Sequence, residues 1–549
     1  MLSPAKPVYA EPTAMRLRSH GFSGGQIAIL FAAFTLLISI PIWTHPLPPL
    51  SDYVNHLARM KVLATLDHNP KLAEFYTVNW QVIPNLTMDV IVPWVARMGV
   101  NIYVAGQIYM VTMFALIMSG ALVLNRALIG RWSTTPLVGY PLLYNYVFLV
   151  GLMNYLFGIG VALWAMAGWV ALRDRPWPWR YLLSSACALV LFFCHLSALG
   201  IYGVGILSYE LLRLWERRDE TSRDKDWPRR IAEFVCGGLP FLVVTPLLAL
   251  SPTMGLASSV YWEQRGKIDG LMYIIADYSD ITAFLIVAVL GGAIIWAVRH
   301  RVLRFHPLVA VLLIVGGLIY LALPRVMFDT YMTDQRVPIG IAFMVLACGD
   351  LELRRRLVRR GFMIVLIVLI AGRLIEIDYN WSQLSDSTSQ FRSSVKRIAP
   401  GSKVFVAYSD RSMGDDVRDL GLVHAACIAT IERSALVTTL FTVPGKQILH
   451  VKPKYEDYAD VHDGTPPSVA QLIVAAEQPQ PNTPAFWLNW TKFDYLYVLF
   501  TEDDAPNPYP SHLKLVADGD RFQLYKIIKP GETTDKTPQY PGRYTVGQR

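Results

Sequence analysis

Three polar residues of different chemistry follow the first apolar run of the chain at helical spacing. Asp52, His56 and Arg59 lie at positions i, i+4 and i+7 of the stretch LPPLSDYVNHLARMKVLATL, so a helix carries them in one stripe. A carboxylate there can act as a general base on a hydroxyl, and cations can stabilise phosphate charge. On a helix at the membrane surface, this chemistry suits a reaction on a lipid headgroup. In the structural alternative, Asp52 caps the helix while His56 and Arg59 contact headgroups.

A second acidic candidate, Asp89, lies later in the same loop. It sits near the start of an apolar helix in the stretch NLTMD and is a further catalytic candidate beside Asp52. Its alternative role is electrostatic, because the helix dipole stabilises a carboxylate in the first turn. If the protein binds a metal ion, Asp52 and Asp89 are the candidate ligands, and no further metal ligands are assigned.

The stretch YMTDQRVP places Asp334 and Arg336 at the start of a later apolar run. Charged residues at this depth face a helix bundle or a polar cavity more often than lipid. Arg336 suits binding of a phosphate through two parallel hydrogen bonds, and Arg325 and Arg59 are further candidates for the same task. Asp334 is a candidate for lining the cavity.

Three more polar residues lie near the ends of apolar runs. Asn145, Asn154 and His195 are candidates for lining a polar cavity. Hydrogen bonds between packed helices explain them equally well. Both interpretations stay open at this point.

The composition indicates that these candidate residues belong to a membrane protein. Of the 549 residues, 53% are hydrophobic and only 17% are charged, against about 25% charged in a soluble domain. Long apolar runs alternate with short arginine-rich breaks up to about Ile377. The net charge of +8 therefore reports membrane topology rather than a nucleic-acid partner. The five cysteines indicate neither a disulfide framework nor a metal pair.

The apolar runs predict about 11 transmembrane helices in a polytopic α-helical domain spanning 27–377. The stretches 134–172 and 181–212 are each interpreted as two short spans, turning near Gly151 and His195. The other predicted spans are 27–43, 103–124, 232–250, 281–298, 307–323, 337–350 and 361–377.

Arginines set the predicted orientation. The cluster from Arg354 to Arg360 precedes the last span and holds its start in the cytoplasm. The N-terminal tail 1–26 is then cytoplasmic, the first external loop is 44–102, and the domain 378–528 is external. The tail 529–549, rich in proline, threonine and glycine, is predicted to be disordered.

The soluble C-terminal domain is predicted to be α/β. The stretches 402–408 and 493–500 are rich in valine, phenylalanine and tyrosine and indicate buried strands. The stretch 521–528 alternates and indicates a half-exposed strand. His424 and Cys427 are interpreted as structural rather than as a nucleophile and its base. The domain is expected to be an accessory or acceptor-binding module.

The whole pattern resembles the C-type glycosyltransferase superfamily of polytopic enzymes that use polyprenyl-phosphate sugars. The stretch SDYVNHLAR is similar to the Asp-x-x-x-His-Leu-x-Arg variants of its bacterial members. The resemblance implies that Asp52 takes the catalytic acid position with His56 beside it, and that Arg336 contacts donor phosphate. It also implies a bacterial inner membrane location with a periplasmic C-terminal domain. Many members carry paired acids, but here Tyr53 follows Asp52, so dependence on magnesium or manganese stays open.

The sequence thus favours an inverting transferase that moves a sugar from a lipid-phosphate donor to an external lipid or glycan acceptor among membrane lipids. No cofactor is required by the sequence. Alternatives are a lipid or glycan transporter, a non-catalytic envelope scaffold or sensor, and a glycan ligase or polymerase. A polar cavity joining Asp52 to Arg336, with a lipid-sized groove that opens sideways, would favour the enzyme. An Asp52 exposed far from any cavity would favour the scaffold.

Overall fold

The computed structural model describes residues 21–216, 227–410, 417–460, 465–478 and 483–529. Most of the two predicted tails, 1–26 and 529–549, lies outside these ranges. The α-helices are α1 Gly24–Ile38, α2 Ile40–Thr44, α3 Tyr53–Thr65, α4 Pro70–Phe75, α5 Thr87–Arg97, α6 Ile102–Ile129, α7 Tyr146–Leu149, α8 Met153–Ala171, α9 Trp177–Cys194, α10 Leu196–Glu216, α11 Trp227–Cys236, α12 Thr245–Leu250, α13 Lys267–Met272, α14 Asp280–Arg299, α15 Leu308–Ala322, α16 Val337–Ala347, α17 Arg356–Val395, α18 Leu420–Val423, α19 Ile428–Arg433, α20 Val469–Glu477 and α21 Ala485–Leu488.

The strands are short in the membrane part and longer in the C-terminal domain. They are β1 Tyr76–Val78, β2 Leu303–Phe305, β3 Gly349–Leu351, β4 Lys403–Tyr408, β5 Leu436–Val437, β6 Leu449–Val451, β7 Tyr495–Leu499, β8 Leu513–Gly519 and β9 Phe522–Ile527.

The membrane part is a bundle of apolar helices, as predicted. Within the described residues, six helical stretches are long and apolar enough to cross a membrane. They are Gly24–Thr44, Ile102–Ile129, Met153–Ala171, Trp177–Cys194, Ile231–Leu250 and Asp280–Arg299. The apolar helices α15 and α16 are shorter. The predicted count of 11 spans is therefore not confirmed.

The two predicted hairpins differ in outcome. The turn at His195 is confirmed, because α9 ends at Cys194 and α10 begins at Leu196. In the stretch 134–172, the second half forms α8, but the first half holds a 3-10 helix, Thr135–Leu142, with Pro141 inside it. Proline lacks the N–H group that an α-helix needs. The prediction of a separate span before Gly151 is therefore wrong.

Helix α3, which carries the polar stripe, is buried in protein. It packs against α5 and α6 of the membrane part and against α19 of the C-terminal domain. Of its 13 residues, 10 are buried. It is thus covered on both sides and does not present its polar residues to lipid headgroups. The expectation that His56 and Arg59 contact headgroups is wrong, because the C-terminal domain lies over this helix.

The C-terminal domain is built on a mixed sheet of order β5-β4-β7-β9-β8. Strand β4 is parallel to β5 and β7, and β9 is antiparallel to β7 and β8. The three predicted strands are confirmed as β4, β7 and β9. Their side chains are almost entirely buried because helices cover the sheet.

Besides the packing of α19 on α3, a long helix and a strand pair join this domain to the membrane part. Helix α17 runs for 40 residues from the last apolar stretch into the domain, where Phe391 stacks on Tyr497 at 4.6 Å between ring centroids. Strand β1 of the first loop pairs with β6, with Tyr76 opposite Val451. The domain is therefore held at both the last helix and the first loop.

Candidate active site

A cavity of about 550 Å³ lies where α3, α8, α10 and α16 approach the C-terminal domain. Its polar wall combines residues from distant parts of the chain, namely Asp52, His56, Asn154, His195, Arg336 and Lys446. Its apolar wall includes Ile201, Val204, Ile319, Leu323 and Val337. The cavity thus places polar groups beside a surface that suits hydrocarbon.

Asp52 is placed at this cavity by its backbone and by a glycine. Its N–H donates to the Val150 carbonyl at 3.0 Å. Gly151 has φ of 93°, and a Cβ there would lie 2.9 Å from the Asp52 nitrogen, so the position requires glycine. Although Asp52 occupies the position before α3, its side chain makes no capping hydrogen bond. The helix-cap alternative is therefore wrong, and the carboxylate lines the cavity.

His56 lies on the same face of α3, and only 8% of it is exposed. Burial, with Arg59 and His424 nearby, lowers the pKa of His56 well below its usual value, so the ring is neutral. Its edge packs against Phe441 with ring centroids 5.4 Å apart. Within the described part of the chain, its Nδ1 atom has no hydrogen-bond partner. The ring therefore holds an unused polar atom at the cavity wall.

Arg336 is buried at the start of α16 and held in place from three sides. Its Nη1 lies 2.9 Å from Nε2 of His195, and its Nη2 donates to the Tyr331 carbonyl at 2.7 Å. The Tyr155 hydroxyl donates to the Arg336 carbonyl at 2.6 Å. The Asp52 carboxylate is among the groups that stabilise the Arg336 cation. The cavity therefore joins Asp52 to Arg336, which is the first of the two features expected of an enzyme.

Asn154 and His195 line the cavity as predicted, and each also makes hydrogen bonds within the protein. Asn154 accepts from the N–H of Met88 at 2.8 Å and donates to the Asn85 carbonyl at 2.8 Å. His195 Nδ1 lies 3.0 Å from the N–H of Ser197 at the start of α10. Both predicted interpretations therefore hold for these two residues.

Arg59 and Asp89 do not take part in the cavity. Arg59 Nε and Nη2 donate to the two carboxylate oxygens of Asp89 at 2.8 and 2.9 Å, and each side chain is 1% exposed. The charges neutralise each other, so Arg59 is not a phosphate ligand and Asp89 is not a second catalytic acid. Because both Asp89 oxygens are engaged, Asp89 does not complete a metal site with Asp52.

Arg325, Asp334 and Asn145 are also placed elsewhere. Arg325 donates to Asp334 at 3.0 Å, and Lys267 lies 2.7 Å from the other oxygen of Asp334. Asn145 caps α7 by accepting from the Phe148 N–H at 3.1 Å. These contacts use the polar atoms structurally. The predictions of phosphate binding by Arg325 and of cavity lining by Asp334 and Asn145 are wrong.

The cavity also contains residues that the sequence interpretation missed. Phe441 and Lys446 reach it from the C-terminal domain, and Lys446 Nζ lies 2.7 Å from Asp329. The sequence signal that could have indicated Lys446 is its position directly after Pro444 and Gly445, inside the apolar stretch that leads to β6. The domain thus contributes a cation and an aromatic wall, rather than serving as an accessory module alone.

The wall formed by residues 327–333 is strained. Phe328, Asp329 and Met332 have φ of 52°, 53° and 60°, in the left-handed region that favours glycine. Such residues cost about 1–3 kcal/mol each and cluster at ligand sites. The surrounding fold therefore maintains this loop against its local preference, beside Arg336.

The described ranges contain no metal centre built from several side chains. There, no group of three or more histidine, cysteine, aspartate or glutamate residues could hold a metal ion. The positive charge near Asp52 comes from Arg336 and Lys446. The arrangement can therefore neutralise an anion with protein cations.

Comparisons with known proteins agree with this architecture. No protein-family model and no curated protein matches the chain. The apo crystal structure of ArnT from Cupriavidus metallidurans is similar at 12% identity, covering 91% of this chain and 97% of that chain, with a TM-score of 0.51. The same protein bound to undecaprenyl phosphate gives 11% identity, 92% and 98% coverage, and a TM-score of 0.48. The likeness to the apo structure shows that the chain has the fold of ArnT.

Proposed function

We propose that this protein transfers a sugar from a polyprenyl-phosphate donor to the hydroxyl of a lipid or glycan acceptor. The observation that carries the proposal is the cavity itself. It places the carboxylate of Asp52 and the buried cation of Arg336 on walls of one space that is apolar on its other side. A lipid-phosphate sugar needs this combination, because its phosphate is anionic and its chain is hydrocarbon.

The reaction is a displacement at the sugar carbon that bears the phosphate. Asp52 accepts the proton of the acceptor hydroxyl, and the new carbon–oxygen bond forms as the bond to phosphate breaks. The polyprenyl phosphate leaves as an anion, which Arg336 stabilises. Attack opposite the leaving group inverts the configuration at this carbon. His56, neutral and beside Asp52 on α3, orients the acceptor.

The apolar wall suits the first isoprene units of the donor. Ile201 and Val204 of this wall lie on α10. Ile319 lies on α15, and Leu323 directly follows that helix. Arg336 and Lys446 line the same space, and Lys446 is paired with Asp329 at 2.7 Å. A phosphate entering the cavity therefore meets Arg336 as its main cation, with the Lys446–Asp329 pair beside it. ArnT has been crystallised with undecaprenyl phosphate, so this lipid is the first donor carrier to test.

We infer the setting of the reaction from the arginine pattern. The N-terminus is cytoplasmic, and the cavity and the C-terminal domain face the periplasm of a bacterial inner membrane. The reaction requires no cofactor in this mechanism, because fixed cations replace a divalent ion at the phosphate. Addition of magnesium, manganese or a chelator tests that point directly.

The function is tested with full-length protein in lipid nanodiscs. Undecaprenyl-phosphate carrying a radiolabelled sugar, from a panel of pentoses and hexoses, is incubated with lipid extract as acceptor. Asp52→Asn is expected to lower the transfer rate by about 10²–10⁴-fold. Asp67→Asn, at an exposed position just after the same helix, is the matched control and keeps wild-type transfer. Wild-type transfer by Asp52→Asn at equal protein yield would contradict the proposal.

A further inference from the structure

The C-terminal domain forms hydrogen bonds with an asparagine of α3 that is close to Asp52 in sequence. Asn55 is fully buried. Its Nδ2 donates to the Thr439 carbonyl at 2.7 Å, and its Oδ1 accepts from the Phe441 N–H at 2.8 Å. A carbonyl only accepts and a backbone N–H only donates, so these two bonds fix which end of the amide is nitrogen.

The orientation of Asn55 in turn fixes the proton on His424. Asn55 Nδ2 lies 3.1 Å from Nδ1 of His424, and an amide nitrogen only donates. Nδ1 of His424 must therefore be the acceptor, which leaves the proton of the neutral ring on Nε2. A doubly protonated ring would direct an N–H at the Asn55 amide and is disfavoured by the same contact.

The protonated nitrogen of His424 faces the carboxylate in the cavity. Its Nε2 atom lies 3.6 Å from Oδ1 of Asp52, slightly beyond hydrogen-bond distance, and hydrogen bonds at catalytic sites often shorten when substrate binds. The His424 side chain is 14% exposed and that of Asp52 is 24% exposed. The interaction is therefore shielded from bulk water.

We propose that His424 is a positioning residue, supplied by the C-terminal domain, that orients Asp52 and keeps its carboxylate ionised by directing a neutral N–H donor at it. This inference rests on the proposed role of Asp52 as general base. A neutral donor stabilises the carboxylate without being an acid that competes for the acceptor proton. The C-terminal domain then completes the site instead of only covering it.

The surrounding groups are consistent with this role. Burial lowers the pKa of His424 to about 4, so the ring stays neutral at physiological pH. The charged or titratable groups that line the cavity with Asp52 include His56 on the same helix and Arg336 at the start of α16. The same cavity is lined by Tyr155, His195 and Tyr331, and by Asp329 and Lys446, which pair with each other at 2.7 Å. His56 is neutral, and Arg336 stays charged throughout the range where a carboxylate titrates. A change at residue 424 therefore reports on Asp52.

The test compares two polar replacements of similar shape. His424→Gln places an N–H₂ group where Nε2 lies, whereas His424→Asn keeps a polar group near Nδ1 and has no donor towards Asp52. The titration of Asp52 is followed by the infrared band of its protonated carboxyl group, assigned by its loss in Asp52→Asn. The pH dependence of kcat and KM for transfer is measured on the same nanodisc samples, with His512→Gln as control.

His424→Asn is expected to raise the titration midpoint of Asp52 by about 1 pH unit, because a hydrogen bond to a charged group is lost. The acidic limb of kcat moves by the same amount while KM stays within about twofold. His424→Gln and His512→Gln keep the wild-type midpoint. Equal midpoints for His424→Asn and wild type would overturn the inference. If Asp52→Asn still transfers sugar, the proposed function fails instead, and the infrared titration continues to test the contact itself.

Discussion

Arg59 and Asp89, both in the loop that follows the first apolar helix, form an ion pair with two parallel hydrogen bonds and both side chains 1% exposed. The pair fastens α3 to α5 behind the cavity. The residues of the polar stripe therefore have two different roles. Asp52 and His56 face the cavity, whereas Arg59, one turn further, holds the helix in place.

We expect the Arg59–Asp89 pair to act on stability rather than on chemistry. Removal of one partner leaves an uncompensated buried charge, so Arg59→Met or Asp89→Leu should each cost about 3–5 kcal/mol. The double variant should recover much of this loss, because an apolar pair of similar size needs no desolvated charge. Thermal unfolding in detergent measures the three variants. A double variant less stable than either single variant would contradict this assignment.

Arg336 should be sensitive even to replacement by lysine. Lysine keeps the charge but loses the planar group that contacts His195 and Tyr331 together. We expect kcat/KM of Arg336→Lys to fall about 10²-fold or more, with unfolding temperature little changed. The exposed Arg299, at the end of α14, provides the matched Arg299→Lys control. Equal losses in both variants would count against a role at the phosphate.

Gly151 and Gly99 offer a matched test of how Asp52 is placed. Both have φ of 93°, but a Cβ at Gly99 meets nothing within 4 Å, whereas at Gly151 it lies 2.9 Å from the Asp52 nitrogen. Gly99→Ala should cost about 1 kcal/mol of backbone strain and leave transfer intact. Gly151→Ala should displace Asp52 and lower the transfer rate at least tenfold. Similar transfer rates for the two variants would show that Asp52 is not held this way.

Asn55 should control the docking of the C-terminal domain on α3. Asn55→Leu removes buried hydrogen bonds to Thr439, Phe441 and His424, at about 1 kcal/mol or more each. We expect faster hydrogen exchange in residues 436–451, with exchange in β7 unchanged. Asn69→Ala is the control. It loses the partly buried bond to Ser434 and the cap that Asn69 provides to the Leu72 N–H of α4, and it should have a smaller effect on exchange in 436–451. Unchanged exchange in 436–451 would contradict the assignment.

The stability of the protein should fall in mild acid in a way that depends on His424. Its pKa lies near 4 in the folded protein against 6.5 for the free side chain. As pH falls below about 6.5, the unfolded chain binds a proton that the folded protein excludes, so stability falls with pH. The loss from this residue is about 2 kcal/mol at pH 5. The drop in melting temperature from pH 7 to pH 5 should be smaller in His424→Gln, whereas His512→Gln should match wild type.

Local patterns were sufficient for much of the fold. Run length and composition predicted the apolar helices and strands β4, β7 and β9. They could do so because the buried face of a helix or strand requires apolar residues at a regular spacing along the local sequence. The 3-10 helix Thr135–Leu142 was missed because apolar composition alone does not distinguish a full span from a proline-broken segment. Hydropathy therefore indicated a membrane bundle more reliably than it indicated the number of crossings.

The candidate site shows a similar division. Asp52, His56, Arg336 and His195 were selected because charged or polar residues at the ends of apolar runs often face a cavity, but the same argument also selected Asn145 and Asp334, whose contacts are structural. The roles of Arg59 and Arg325 could not be predicted, since their partners lie 30 and 9 positions away in sequence and meet only after packing. Lys446 was missed for the same reason, and His424 was considered but interpreted as structural. Chemistry was readable from residue type, but the choice of partner required the tertiary structure.

The contact between Asn55 and His424 joins residues 369 positions apart. The ribosome must therefore synthesise more than three quarters of the chain before the two halves of the cavity can meet. Until then α3 lacks the surface that covers it, and its buried polar residues have no lasting partners from the C-terminal domain. A nascent or truncated chain that ends before this point therefore holds an incomplete cavity, and the cavity is complete only once the C-terminal domain has been synthesised and has packed on α3.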